Sequence, residues 1–318
     1  MKWSPTALVA LSLLVGCSDQ ETAAPTLQDL MAPEAAVVKL IGGMKFTEGP
    51  VWLPEQKKLV FSDIPSGQLL EWSKTDGLKI FRKSPNPNGN LLDREGRLVT
   101  CRHGARDIVR TEKDGKLTVL CDSFEGKRLN SPNDLAIKSD GTLWFTDPPW
   151  GLPGANEGKQ QPGNWVFRLD PSTNQLTAVV KDLSMPNGIA FSPDERHVYI
   201  ADTGGNWHPD ESLRDLPATI AAYQVKANGT LNRKPVWKSQ GYCDGMCVDV
   251  LGNIYTTARA GITVLSPDGE SIGTMKTPES PTNCCFGGDD FKTLFITGPT
   301  SLYSVELANP GNVLQKNR

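Results

Sequence analysis

The chain has 318 residues, with 33 lysines and arginines against 36 aspartates and glutamates and a net charge of −3. With no basic cluster, that balance argues against a nucleic-acid partner. Hydrophobic residues make up 38%, enough to bury a sizeable core.

Residues 1–16 read as a targeting segment. Lys2 gives a charged start, and the apolar run from Ala7 through Val15 is too short to span a bilayer. Leu14-Val15-Gly16-Cys17 resembles a bacterial lipobox, which implies cleavage before Cys17 and lipid attachment there. Ser18 after the cysteine favours the outer membrane. Residues 17–35 lack strand periodicity and are expected to be a flexible tether. The expectation is therefore an envelope protein facing the periplasm, anchored to the membrane by lipid alone and not embedded in it.

From residue 36 to 318 the chain repeats. Glu48, Asn88, Asn133, Asn187, Asp244 and Asn283 each precede a short apolar strand, a turn and a second strand, and lie roughly 40 to 55 residues apart. The second strands are expected to end at Asp63, Cys101, Asp147, Asp202, Thr257 and Thr297. Lys138-Ser139-Asp140-Gly141 and Asp93-Arg94-Glu95-Gly96 separate such strands with hairpin chemistry. The period-two alternation predicts an all-β fold, a six-bladed β-propeller in one domain. The last unit has only three strands. Ala36-Val37-Val38-Lys39-Leu40-Ile41, ahead of the first unit, is expected to supply the fourth and close the ring.

In a propeller, residues of equal phase converge on one mouth of the central channel, and the end of each second strand returns to it. His103, Asp147, Trp150, Asp202 and Trp207 are expected around that mouth, with Asp147 and Asp202 serving structure. Singly, Asn-Gly or Asp-Gly before a strand is mostly a turn signal. Six polar groups on one axis, however, are costly without a partner. Glu48, Asn187 and Asp244, with Asn133 a fourth, offer only oxygen, which selects a hard cation such as Ca2+ or Mg2+ over zinc or copper. Trp150 and Trp207 lie in two long loops suited to shaping a sugar pocket.

Six further cysteines, Cys101, Cys121, Cys243, Cys247, Cys284 and Cys285, permit disulfides in an oxidising compartment without fixing a pairing. Zinc is disfavoured, since Cys243 and Cys247 have no second pair of knuckle spacing. Gly269-Glu270-Ser271-Ile272-Gly273 fits the G-x-S-x-G pattern but sits at a hairpin inside a β repeat, not on a strand-to-helix elbow.

Seven fragments in order, among them Glu48-Gly49-Pro50-Val51-Trp52, Asn88-Gly89-Asn90, Ser131-Pro132-Asn133-Asp134, Phe145-Thr146-Asp147-Pro148-Pro149-Trp150-Gly151, Pro186-Asn187-Gly188-Ile189 and Cys243-Asp244-Gly245-Met246, resemble the SMP-30/gluconolactonase/LRE-like family of calcium-dependent propellers. The resemblance runs from about Gly43 to Leu307. It implies that Glu48, Asn187 and Asp244 hold one divalent cation, most simply Ca2+ with Mg2+, Zn2+ or Mn2+ as substitutes in vitro. Asn133 would complete or flank that set, and Asp244 would double as the acid/base. Asn88, His103, Asn133, Trp150 and Trp207 are the expected substrate contacts. The implied reaction is hydrolysis of a sugar lactone by a monomer or dimer. Arg102 stands where such relatives often carry an acidic residue, and if it faces the mouth the substrate would be more anionic. The rival readings are a non-catalytic metal-stabilised binding propeller tethered to the envelope, or a phosphotriesterase of the same fold.

Overall fold

A computed structural model of the chain describes residue 1 and residues 25–206, 208–232 and 234–313. The signal segment, Cys17 and Trp207 lie outside the described residues. The described residues fold into six four-stranded antiparallel sheets around an axis, with one small hairpin of Ser123–Phe124 and Lys127–Arg128 and almost no helix. The inner strands of blades one to six are Thr47–Leu53, Pro87–Leu92, Leu135–Ile137, Pro186–Phe191, Met246–Val248 and Asn283–Gly287. The second strands end at Asp63, Arg102, Asp147, Asp202, Ala258 and Thr297, within one residue of the ends expected from the repeat.

The period-two pattern produces these blades because each sheet buries both faces between its neighbours. The buried apolar side chains form wedges, each shared by two adjacent blades. Trp144, Val166 and Ile200 fill the space between blades three and four, and Tyr255, Ile262, Phe286 and Leu294 the space between five and six. Each such side chain contributes roughly 1.5–3 kcal/mol when fully buried. Hairpins join the strands as the turn chemistry requires: at Lys138–Gly141, the Gly141 amide donates to the Lys138 carbonyl at 2.9 Å with the glycine at φ +87°.

The ring closes as anticipated, by a strand that starts two residues and ends one residue later than the run suggests. The strand Val38–Gly42 pairs antiparallel with Ser301–Glu306, placing Val38 opposite Ser304 and Gly42 opposite Ser301. The expectation of a flexible tether through residue 35 is corrected for its second half. Leu27–Leu30 is a helical turn with Leu30 buried, Met31 bridges to Leu307, and the Ala32 amide donates to the Glu306 carbonyl at 3.1 Å. Leu27 and Leu30 give this segment an apolar face that packs on the wedge between blades five and six, which the surrounding polar residues obscured.

Deleting residues 36–42 would bare the edge of Ser301–Glu306 and strip Leu40 and Ile41 from the wedge of Met44, Phe61 and Phe295. The expected outcome is loss of cooperative thermal unfolding for the whole propeller, followed by circular dichroism. A transition close to that of the intact chain would contradict closure by this strand.

Candidate active site

The polar residue that opens each repeat is fixed by the way inner strands meet. At Glu48–Val51, Pro87–Asn90 and Pro186–Ile189 the pairing with the second strand shifts register, an irregularity of the kind that re-aims a side chain. The glycine beside the polar residue is there for proximity to the next blade, not for a hairpin turn. A Cβ on Gly49 would lie 2.2 Å from the Asn88 carbonyl oxygen, one on Gly89 2.6 Å from that of Asn133, and one on Gly188 2.4 Å from that of Asp244. Hydrogen bonds stitch the ring there: Gly89 N–H to the Asn133 carbonyl at 2.8 Å, Gly188 N–H to the Asp244 carbonyl at 2.7 Å, and Gly245 N–H to the Thr282 carbonyl at 2.8 Å. Between blades six and one the link is a side chain, Asn283 Nδ2 donating to Glu48 Oε2 at 3.0 Å.

On one face of this ring lies a cavity of about 300 Å3 lined by Glu48, Asn88, His103, Asn133, Trp150, Asn187 and Asp244, with Phe46, Ile64, Thr203, Asn206 and Tyr242. Every expected metal and substrate residue among the described ones is therefore in a single wall. Asp147 and Asp202 are not: Asp147 accepts the Asn130 amide at 2.7 Å and Asp202 the Ser184 and Met185 amides at 3.0 and 2.8 Å, the structural role foreseen for them. Arg102 does not line this cavity, so the condition for a more anionic substrate is not met through it. It pairs with Asp107, directly opposite on the neighbouring strand, through Nε at 2.7 Å and Nη2 at 2.5 Å.

The electrostatics of the cavity are one-sided. Glu48 is buried, and burial, then the charges of Asp244 and Asp134, hold its carboxyl well above the usual carboxylate range. Burial also lifts Asp134 to about 6. Asp244 is raised by burial as well, against a 2.6 Å hydrogen bond from Asn187 Nδ2 and with the Asp134 charge adding to the rise. Neither lysine nor arginine is in the described wall. Two carboxyls in the wall, Glu48 and Asp244, without a basic residue beside them fit a divalent ion, and the Asn amide oxygens next to them are hard donors. Asn88 supports this, since its Oδ1 is buried without a protein partner. The donor set of Glu48, Asn133, Asn187 and Asp244 thus suits Ca2+ or Mg2+.

Asp134 and Tyr242 escaped the sequence reading. Asp134 follows Asn133 and lies on the far side of the ring, where with Asn283 it lines a second cavity of about 670 Å3 at the opposite channel end. Tyr242 stands beside Asp244 in the cavity wall, where it holds that carboxyl down. It lies two residues before the aspartate, and period two was the one available signal. The G-x-S-x-G stretch is not a nucleophile elbow, because Ser271 opens the strand Ser271–Lys276 after a turn at Ser266–Gly269 and no helix follows it among the described residues. The six described cysteines are free thiols, and Cys243 and Cys247 do not converge: Cys247 Sγ lies 3.4 Å from Cys284 Sγ instead.

His103 Nε2 stands 2.9 Å from Asn88 Nδ2; the amide donates, so the ring carries its proton on Nδ1. Burial lowers this imidazole to about 4. A base depressed in the fold loses stability for the protein as pH falls from about 6.5 towards 4, because the unfolded chain takes the proton first. NMR titration of the ring should show a midpoint near 4; a midpoint near 6.5 would contradict the buried, Asn88-paired placement.

The model of the SMP-30/Gluconolactonase/LRE-like region matches residues 46–300. The gluconolactonase of Zymomonas mobilis is 31% identical over 310 residues, covering 88% of this chain and 84% of that protein. The solved structure of a gluconolactonase from Xanthomonas campestris superposes with a TM-score of 0.77 at 33% identity, covering 88% of this chain and 92% of that one. A calcium-binding regucalcin from Agrobacterium tumefaciens shares the fold, with a TM-score of 0.64 at 17% identity over 85% of this chain and 97% of that one. By sequence and by fold, the chain belongs to the SMP-30/gluconolactonase/LRE-like family.

Proposed function

We propose that this protein is a divalent-cation-dependent lactonase that opens a sugar lactone. The observation that carries the reading is the convergence of Glu48, Asn133, Asn187 and Asp244 on one cavity, two carboxyls and two amides with no lysine or arginine in its described wall. The gluconolactonase relatives support the choice of substrate class. Glu48, Asn187 and Asp244 would hold the ion, with Asn133 completing or flanking the set, and the all-oxygen donors favour Ca2+. When bound, the ion supplies a Lewis acid that polarises the lactone carbonyl.

The remaining work falls to side chains. Asp244, half-buried at the cavity wall beside Tyr242 and oriented by Asn187 Nδ2, accepts a proton from water as the water oxygen bonds to the carbonyl carbon. The ring carbon–oxygen bond then breaks, and the departing ring oxygen takes a proton back from Asp244 to leave an open-chain hydroxy acid. Neutral His103, Asn88 and Trp150 supply hydrogen-bonding and apolar surface for the sugar. The lipobox adds a second element to the proposal, an anchor at Cys17 that keeps the enzyme at the periplasmic face of the outer membrane, where small lactones reach it from solution.

Asp244→Asn is close in shape and removes the proton acceptor. It is expected to keep the thermal transition while lowering kcat by about a hundredfold or more, measured by acid release from gluconolactone. Activity within a few-fold of the parent would remove Asp244 from the role assigned to it.

A further inference from the structure

The residue that follows the second strand of a blade arrives at the cavity repeatedly: Ile64 after Lys58–Asp63, His103 after Leu98–Arg102 and Thr203 after His197–Asp202 all line it. In blade five the residue in that place is Arg259, after Ile254–Ala258. Its side chain lies against two lining residues. Nη2 donates to Asn206 Oδ1 at 2.6 Å, and the guanidinium carbon stands 5.1 Å from the centre of the Tyr242 ring. Tyr242 in turn stands beside Asp244 in the cavity wall. Arg102, the arginine that the sequence brought to notice, is neutralised by Asp107; Arg259 is exposed and forms no ion pair among the described residues.

A guanidinium stacked on a ring and held by one amide keeps most of its donors free, and its planar fork matches a carboxylate bidentately. Its positive charge lies against Tyr242 and Asn206 of a wall whose own charged groups are the carboxyls of Glu48 and Asp244, which would otherwise repel an anion. We infer that Arg259 is a specificity-determining residue that binds a carboxylate carried by the lactone away from its reacting carbonyl, so that the preferred substrates are acidic sugar lactones. This rests on the lactonase reading above.

The test compares gluconolactone, which is neutral, with glucarolactone, which bears a second carboxyl, in the parent protein, Arg259→Gln and Arg259→Lys. The ratio of kcat/KM for the acidic over the neutral lactone is expected to fall about ten- to hundredfold in Arg259→Gln. Arg259→Lys, which keeps charge but not the fork, should fall in between. An unchanged ratio, with both substrates slowed alike, would overturn the inference and leave Arg259 as a brace for Tyr242. Should the parent open neither lactone, the lactonase reading fails by itself. Calorimetry with glucarate then decides the subsite: about ten- to hundredfold weaker binding to Arg259→Gln supports it, and equal affinity overturns it.

Discussion

Six inner strands reach one axis with so little room that backbone lies on backbone. Gly49, Gly89 and Gly188 each face the carbonyl of the next blade at a distance no Cβ tolerates, and the amides of Gly89, Gly188 and Gly245 use that proximity to bond across the gap. The interlocking does two things at once. It fixes the spacing between blades independently of the apolar wedges farther out, and it leaves the residue just before each glycine with its side chain free of the ladder. Those side chains have one place to go, the mouth of the channel. The site is a by-product of how the ring is drawn tight.

The same geometry sets an electrostatic problem. Side chains at equal phase are neighbours whether or not their charges agree, and here Glu48 and Asp244 share one desolvated wall, with the charge of Asp134 acting on both from the other side of the ring. Burying like charges is unfavourable, and hydrogen bonds from Asn283 and Asn187 relieve only part of it. A bound divalent cation would relieve the rest and stabilise the folded state by mass action. Charges that burden the fold when empty are then the source of affinity when filled, and Asp244, the carboxylate most open to the cavity, is left with a perturbed affinity for a proton where one is needed.

Much of this was legible before any coordinates. The alternation of period two, with an oxygen-bearing residue at constant phase, was enough to give six blades, the closing strand and the common wall of Glu48, Asn88, His103, Asn133, Trp150, Asn187 and Asp244. What escaped depends on contacts between segments distant in sequence. Arg102 turns away because register sets it opposite Asp107, and a cross-strand partner cannot be read from one strand. Arg259 reaches the site through Asn206 and Tyr242, residues of other loops. The glycines were visible, but their reason was not: an Asn-Gly pair looks like a hairpin until the neighbouring blade is in place. The apolar pair Leu27 and Leu30, set in a polar run, hid the docking of residues 25–35 for the same reason.

The most direct measurement is acid release from gluconolactone by the purified protein after chelation, and again after Ca2+, Mg2+, Zn2+ or Mn2+ is restored. Turnover that disappears with the ion and returns in step with its occupancy is the expected result. Full turnover in the metal-free protein, or none on any lactone despite tight ion binding, would contradict a cation-dependent lactonase built on Glu48, Asn133, Asn187 and Asp244.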